Sequence, residues 1–173
     1  MRETMQMGTA GHWMPRHLAA LSVVAALGAA PGMALAIDVV TVQPPPGIEV
    51  KPGAGTRVAI QIAVKPGYHV QANPVENPDL IPITLKIDAA GSVSVGEPVY
   101  PVAKRMRLPG DSQDLVVYDG TFSISLPVKV GRDAAAGEAV TLKGTLRYQA
   151  CDDRYCLFPV TLPVALVVTI GKR

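Results

Sequence analysis

The residues with the clearest capacity for chemistry are the only two cysteines of the chain, Cys151 and Cys156. Four residues separate them within the segment YQACDDRYCLFP, at 148–159. Such a pair can form a structural disulfide, a redox-active disulfide or part of a metal site. In the chain-entropy model a loop of about six residues stabilises a fold by only ~2 kcal/mol, against ~4.7 kcal/mol for a hundred residues. This small value favours redox chemistry over a structural bridge, but it leaves both interpretations open.

The residues between and around the cysteines bear on that choice. Thiol–disulfide exchange needs an accessible sulfur and local charges that tune the thiolate. Arg154 would favour a thiolate, whereas Asp152 and Asp153 oppose it, and the same three charges also suit a simple solvated turn. The flanking aromatic side chains either pack around the sulfurs or are ordinary core and rim residues; they are Tyr148, Tyr155 and Phe158.

Metal binding is a weaker interpretation of the same residues. A structural zinc site takes four nitrogen or sulfur ligands, and beyond the N-terminal leader the chain offers two cysteines and one histidine, His69. Copper handling would need methionine- or histidine-rich ligand sets, and only Met106 lies beyond the leader. We therefore expect neither a metal nor a cofactor.

Strand-like sequence runs into and out of the cysteine segment. Apolar residues fall at alternate positions from Val140 to Ala150 and again from Val160 to Ile170. Alternation on both sides of a short polar segment predicts two antiparallel strands joined by a tight connection. The cysteines would then lie at the mouth of a β-hairpin.

The rest of the chain predicts more short strands separated by turns. We expect strands at 38–42, 56–64, 68–72, 80–88, 115–118 and 121–130, with weaker candidates at 92–95 and 99–102. Residues 103–114 are expected to form a loop, and 133–136 offer at most one helical turn. Pro82 restricts its strand to a sheet edge or to the first residues of the strand. The predicted fold is all-β, an immunoglobulin-like antiparallel β-sandwich.

The N-terminus predicts export. Basic residues precede an apolar run from Leu18 to about Ala30, and Ala34–Ala36 supply a small-residue cleavage pattern. We expect a signal peptide at 1–36, cleaved near Ala36, and one domain at 37–173 in the periplasm. Without Arg2, Arg16 and Glu3 the chain keeps 14 basic and 13 acidic residues, which argues against nucleic acid or an anionic membrane as a partner.

Several segments together resemble the N-terminal periplasmic domain of the thiol:disulfide interchange protein DsbD. The most specific is YQACDDRYCLFP, and the others occur in the family's order: KPGYHVQANP at 65–74, LIPITL at 80–85, YPVAKR at 100–105 and VYDGTFSISLPV at 117–128. The resemblance covers essentially all of 37–173. It implies an immunoglobulin-like sandwich whose cysteine pair accepts electrons from a thioredoxin-like domain and passes them to periplasmic thiol proteins.

The resemblance also implies roles for individual residues. Cys151 and Cys156 become the redox couple, with Cys156 forming the mixed disulfide, and Tyr118 takes the place of a cap-loop aromatic that covers the pair. The chain departs from the family in having four residues between the cysteines instead of five. It also has Val116 and Val117 at acidic cap positions, and His69 and Gln71 in place of tyrosines. Since it stops at Arg173, without the membrane and thioredoxin-like domains of DsbD, we expect a separate reductant.

Two functions follow from these expectations. The first is periplasmic thiol–disulfide exchange, in which the Cys151–Cys156 pair carries electrons from a membrane-linked thioredoxin-like donor to oxidised client proteins. The protein would then meet the membrane only through a partner. The second is a non-enzymatic β-sandwich that serves as a binding or accessory module, with the disulfide as a local clamp.

Overall fold

A computed structural model describes residues 38–43, 45–107 and 113–172. These residues belong to one compact unit, Ala36–Arg173. The predicted signal peptide lies outside the described residues, and it stays a prediction.

The described residues form twelve strands and no helix. The strands are β1 (Val40–Gln43), β2 (Ile48–Val50), β3 (Gly55–Val64), β4 (His69–Gln71), β5 (Thr84–Ile87), β6 (Val93–Val95), β7 (Lys104–Met106), β8 (Leu115–Tyr118), β9 (Thr121–Val130), β10 (Ala139–Tyr148), β11 (Ala150–Cys151) and β12 (Val160–Ile170). Three four-stranded sheets result, in the orders β1-β3-β9-β6, β2-β12-β10-β5 and β11-β4-β8-β7.

The four long strands explain how the core forms. In β3, β9, β10 and β12, buried and exposed side chains alternate almost without interruption. Successive side chains of a strand point to opposite faces, so each strand turns one apolar row inward. These rows come together in a single buried cluster that includes Ile60, Ile124, Leu142 and Leu166. The fold is all-β and immunoglobulin-like, as predicted.

Several predicted elements differ in the structure. The strand predicted at 80–88 is shortened to β5, because Pro82 makes only an isolated bridge to Gln71 before the chain crosses to β10. The segment 99–102 is not a strand: Val99 makes a single bridge to Ser125, and Val102 is 97% exposed. The predicted loop at 103–114 contains β7, and the possible helical turn at 133–136 is not helical.

Strand β2 was not predicted, and it runs parallel to β12, in register from Ile48–Val168 to Val50–Ile170. The other strand pairs are antiparallel. The predicted antiparallel sandwich therefore holds with one parallel pair.

The third sheet is short, and it carries the cysteines. Its strands have two to four residues each, and all three residues of β4 are buried. A strand buried on both faces needs cover on both sides. One face, with Val70 and Tyr118, joins the main core cluster, whereas His69, Gln71 and Cys151 are buried outside that cluster.

Candidate functional site

The predicted hairpin around the cysteines exists, but its connection is not tight. Strands β10 and β12 pair from Ala139–Thr169 to Tyr148–Val160, and the residues between them form a smaller hairpin of their own. In that smaller hairpin the Leu157 amide donates to the Ala150 carbonyl at 2.8 Å, and Cys151 lies opposite Cys156 in an antiparallel bridge. The tight connection was the wrong prediction, because the chain leaves the β10–β12 ladder at Tyr148 to add β11 to another sheet.

Asp152 organises the turn between the cysteines. Its Oδ1 accepts hydrogen bonds from the backbone amides of Arg154 at 2.8 Å and Tyr155 at 2.7 Å. The Asp152 amide in turn donates to the Tyr155 carbonyl at 2.9 Å. The two hydrogen bonds that its carboxylate accepts hold the pKa of the Asp152 carboxyl below its usual range. Asp152 therefore forms an Asx turn between the two cysteines.

The two cysteines are joined in a disulfide, and the two residues differ sharply in exposure. Cys151 is 2% exposed in the β11–β4 pair, whereas Cys156 lies on the exposed arm of the small hairpin. Their Cα atoms are 3.9 Å apart. A thiolate from another molecule can approach only an accessible sulfur. Of the two cysteines, Cys156 is therefore the one that another molecule could reach.

A groove of about 290 Å³ opens beside the disulfide, and we call it the disulfide groove. Its lining includes both cysteines, two predicted site residues from the turn and two buried polar residues of β4: Cys151, Cys156, Arg154, Tyr155, His69 and Gln71. Strand β4 supplies the polar residues because positions 69 and 71 share one face of the strand. The register places His69 directly opposite Cys151.

His69 is the one titratable side chain that is fully buried at this site among the described residues, with 2% exposure. Burial lowers its pKa from the ordinary value of 6.5, while the nearby carboxylates of Asp153, Asp119 and Asp152 act in the opposite direction. The ring is therefore neutral near pH 7. Asp119 is also paired with Lys104, which reduces the negative charge that reaches the ring.

The structure does not bring all of the predicted aromatic residues to the sulfurs. Tyr118 pairs with Val70 and is 4% exposed, with its hydroxyl donating to the Pro101 carbonyl at 2.9 Å and its ring stacked on Phe122. Because side chains alternate along a strand, Tyr118 lies on the opposite face of the sheet from Cys151. Its gating role stays a prediction, and this position places it in the core.

Tyr148 is likewise a core residue, and its pKa is raised because burial penalises the phenolate. Tyr155 and Phe158 lie on the surface, with 73% and 92% exposure. Leu157 and Val160 are also exposed, and we call these four residues, which flank Cys156 or shortly follow it in the sequence, the hairpin patch.

Sequence reasoning missed the part that Gln71 and Asp152 take in the site. Gln71 is 1% exposed, and a polar residue in a short strand next to a histidine is the signal that could have marked it. The sequence marks Asp152 only as a charge near the sulfurs, although an aspartate often accepts a hydrogen bond from the amide two residues later and so forms a turn. Within the described ranges, no three His, Cys, Asp or Glu side chains are grouped so as to hold a metal ion. The same part of the chain has no helix long and apolar enough to cross a bilayer.

Comparison with known protein families identifies a match. A family model described as the N-terminal part of the thiol:disulfide interchange protein DsbD matches residues 39–167. No curated protein sequence matches this chain.

Among solved structures, the N-terminal periplasmic domain of ScsB from Proteus mirabilis is similar, with a TM-score of 0.46 and 12% identity, over 76% of this chain and 44% of that one. BcpA, the major pilin subunit of Bacillus cereus, is similar with a TM-score of 0.44 and 10% identity, over 76% of this chain and 40% of that one. This chain thus spans less than half the length of either structure. Since the family model covers most of its residues, including both cysteines, the chain belongs to the DsbD N-terminal family.

Proposed function

We propose that this protein exchanges thiols and disulfides with other proteins in the periplasm, with Cys151 and Cys156 as the working couple. The observation that carries the proposal is the unequal burial of the two disulfide-bonded residues: Cys156 is exposed, whereas Cys151 is 2% exposed. A bridge that only stabilised the fold would not need one reachable sulfur. Membership of the DsbD N-terminal family supports the same chemistry.

The exchange takes two steps in each direction. A donor thiolate attacks Cys156 Sγ, a donor–Cys156 disulfide forms, and the electron pair of the broken bond passes to Cys151 Sγ. The second donor thiolate then attacks its own bridged sulfur, which releases Cys156 as a thiolate and oxidises the donor. An oxidised client protein reverses the sequence, with Cys156 as the attacking thiolate and Cys151 as the residue that closes the disulfide again.

Proteins suit this site better than small thiols as exchange partners. The hairpin patch places Tyr155, Leu157 and Phe158 in water next to the exposed sulfur. Exposed aromatic side chains of this kind are typical of protein–protein contacts. We therefore assign the donor to the thioredoxin-like class, as the family implies, and the clients to oxidised periplasmic thiol proteins. The protein would meet the membrane only through the donor.

Trapping with a defined donor tests the proposal. The oxidised protein is mixed with a reduced thioredoxin whose resolving cysteine has been replaced by serine, so that the mixed disulfide persists. We expect a covalent complex on a non-reducing gel, with the bridge mapped by mass spectrometry to Cys156. A variant with serine at both cysteines is the matched control, and it should form no complex.

Three outcomes would contradict the proposal. If no complex forms, or if the bridge maps to Cys151, the exposed sulfur is not the exchange site. A reduction potential far below about −300 mV in a glutathione titration would likewise mark a bridge that the periplasm does not turn over. Any of these results would favour the alternative, a binding or accessory module with a structural disulfide.

A further inference from the structure

The buried neighbour of Cys151, His69, takes no part in the bond changes between the sulfurs. His69 faces Cys151 across the β4–β11 ladder, and both side chains are 2% exposed. Directly opposed residues in an antiparallel pair have Cβ atoms about 4.5–5.5 Å apart, which is within reach of an imidazole and a sulfur. Both residues also line the disulfide groove.

The polar atoms of this face are not satisfied within the oxidised protein. His69 Nε2 is buried and makes no hydrogen bond to another described protein atom, and the same holds for Gln71 Oε1. Buried polar groups are nearly always hydrogen-bonded, so an exception calls for an explanation in terms of function or of a second state. Here the second state is available, since reduction creates a charged sulfur on the adjacent strand.

We propose that His69 is a positioning residue for Cys151, and that it holds a proton against the Cys151 thiolate whenever the disulfide is open. This inference rests on the proposed function. When a donor thiol loses its proton and attacks Cys156, the new disulfide forms at Cys156 and the electron pair goes to Cys151 Sγ. The proton reaches the imidazole through the open groove, and the products are a donor–Cys156 disulfide and a thiolate–imidazolium pair.

Charge and burial around the His69 ring agree with a neutral imidazole in the oxidised protein and an imidazolium in the reduced one. In the oxidised protein, burial keeps the pKa of His69 below 6.5 in spite of Asp153, Asp119 and Asp152. A thiolate at Cys151 would add a negative charge on the adjacent strand, within the same groove. Since an opposite charge within about 4–6 Å favours the ionised form, the pKa of His69 should rise and that of the Cys151 thiol should fall. Without the imidazolium, burial alone would raise the pKa of the Cys151 thiol.

The other groups around the ring are not suited to the same task. Asp152 is engaged with the amides of its own turn, and Asp119 is paired with Lys104. Asp153 would repel a thiolate. Arg154 lines the groove from the exposed turn, so solvent screens its charge. His69 is thus the buried group that can carry the positive charge.

The test uses Cys156→Ser, which leaves Cys151 as the only thiol of the chain. The ultraviolet absorbance of the thiolate is followed against pH in this variant and in Cys156→Ser/His69→Gln. We expect the midpoint to lie higher by about one pH unit or more when His69 is absent, which is about a tenfold smaller thiolate fraction near neutral pH. Cys156→Ser/Lys143→Gln is the matched control, since it makes the same kind of substitution at an exposed titratable residue of β10, and its midpoint should stay close to that of Cys156→Ser.

A second measurement needs no substitution at position 69. The ring resonances of His69 are titrated by NMR in the oxidised and the reduced protein, and the pKa should be higher in the reduced state. The inference would be overturned if the thiol midpoint were the same with and without His69. It would also be overturned if the imidazole pKa were the same in the oxidised and the reduced protein. Neither readout involves a partner, so this result is independent of whether trapping at Cys156 succeeds.

Discussion

Reduction of the disulfide should weaken this protein only slightly and leave it folded. The bridge joins cysteines with a sequence separation of 5, so the loop it closes in the unfolded chain has about six residues. In the chain-entropy model such a loop contributes about 2 kcal/mol to the free energy of unfolding. A bridge that closed a loop of a hundred residues would contribute about 4.7 kcal/mol.

The rest of the structure does not depend on the bridge. Neither cysteine belongs to the main cluster of buried apolar side chains, which is built from β3, β9, β10, β12 and their neighbours. Domains of ordinary size have unfolding free energies of about 5–15 kcal/mol, so a loss of about 2 kcal/mol leaves the native state dominant. The reduced protein can therefore remain a folded reagent for its partners.

Urea unfolding of the oxidised and the reduced protein measures this loss. For a urea slope of about 2 kcal/mol per molar, we expect the midpoint to fall by about 1 M with the slope unchanged. A variant with serine at both cysteines should unfold near the midpoint of the reduced protein, and it should not respond to reductant. If reduction removed more than about 4 kcal/mol, or unfolded the chain outright, the disulfide would be a structural element and our reasoning would fail.

Three further predictions concern single residues. Burial lowers the pKa of His69 below 6.5, so the unfolded chain takes up the proton first as the pH falls. The unfolding free energy should therefore decrease below about pH 6.5, and His69→Gln should flatten that part of the pH profile. An unchanged profile in His69→Gln would show that His69 is not the group responsible. Tyr118→Phe removes the hydroxyl bonded to the Pro101 carbonyl and should cost about 1 kcal/mol in urea unfolding, with the rate of disulfide reduction unchanged; a faster reduction would instead support gating by its hydroxyl. Asp152→Ala removes the oxygen that accepts from the amides of Arg154 and Tyr155, so it should speed hydrogen exchange at both amides. Asp152→Asn keeps that oxygen and should retain most of the protection. Equal exchange rates in the two variants would show that the turn does not depend on the side-chain oxygen.

The long strands can be predicted from the sequence, whereas the short strands that exist only through pairing with distant segments cannot. The alternation in β3, β9, β10 and β12 is strong enough to predict each strand and its buried face, because one side of each strand faces the core. Strand β7, Lys104–Met106, has no such pattern, since it is a short and mostly exposed edge strand held by its pairing with β8. Strand β2 is equally short, and it exists because β12 offers it a free edge.

The site shows the same division. The cysteines and their neighbours could be found from spacing and from family resemblance. The burial of His69 and Gln71 could not, because polar residues in a three-residue strand look solvent-exposed until β11 and β8 are placed on either side. Likewise, the segment VYDGTFSISLPV around Tyr118 does not reveal which face of β8 meets the core.

The unequal exposure of the two sulfurs also bears on damage by peroxide. In the reduced protein the solvent-facing Cys156 thiolate is the one that an oxidant meets first, and its first product is a sulfenic acid. Cys151 lies opposite on the neighbouring arm, so its thiol can condense with that sulfenic acid, expel water and restore the original bridge. Further oxidation to the sulfinic acid, which is irreversible in most proteins, would have to outpace this closure. The sheltered cysteine would thus act as a built-in repair group for the exposed one.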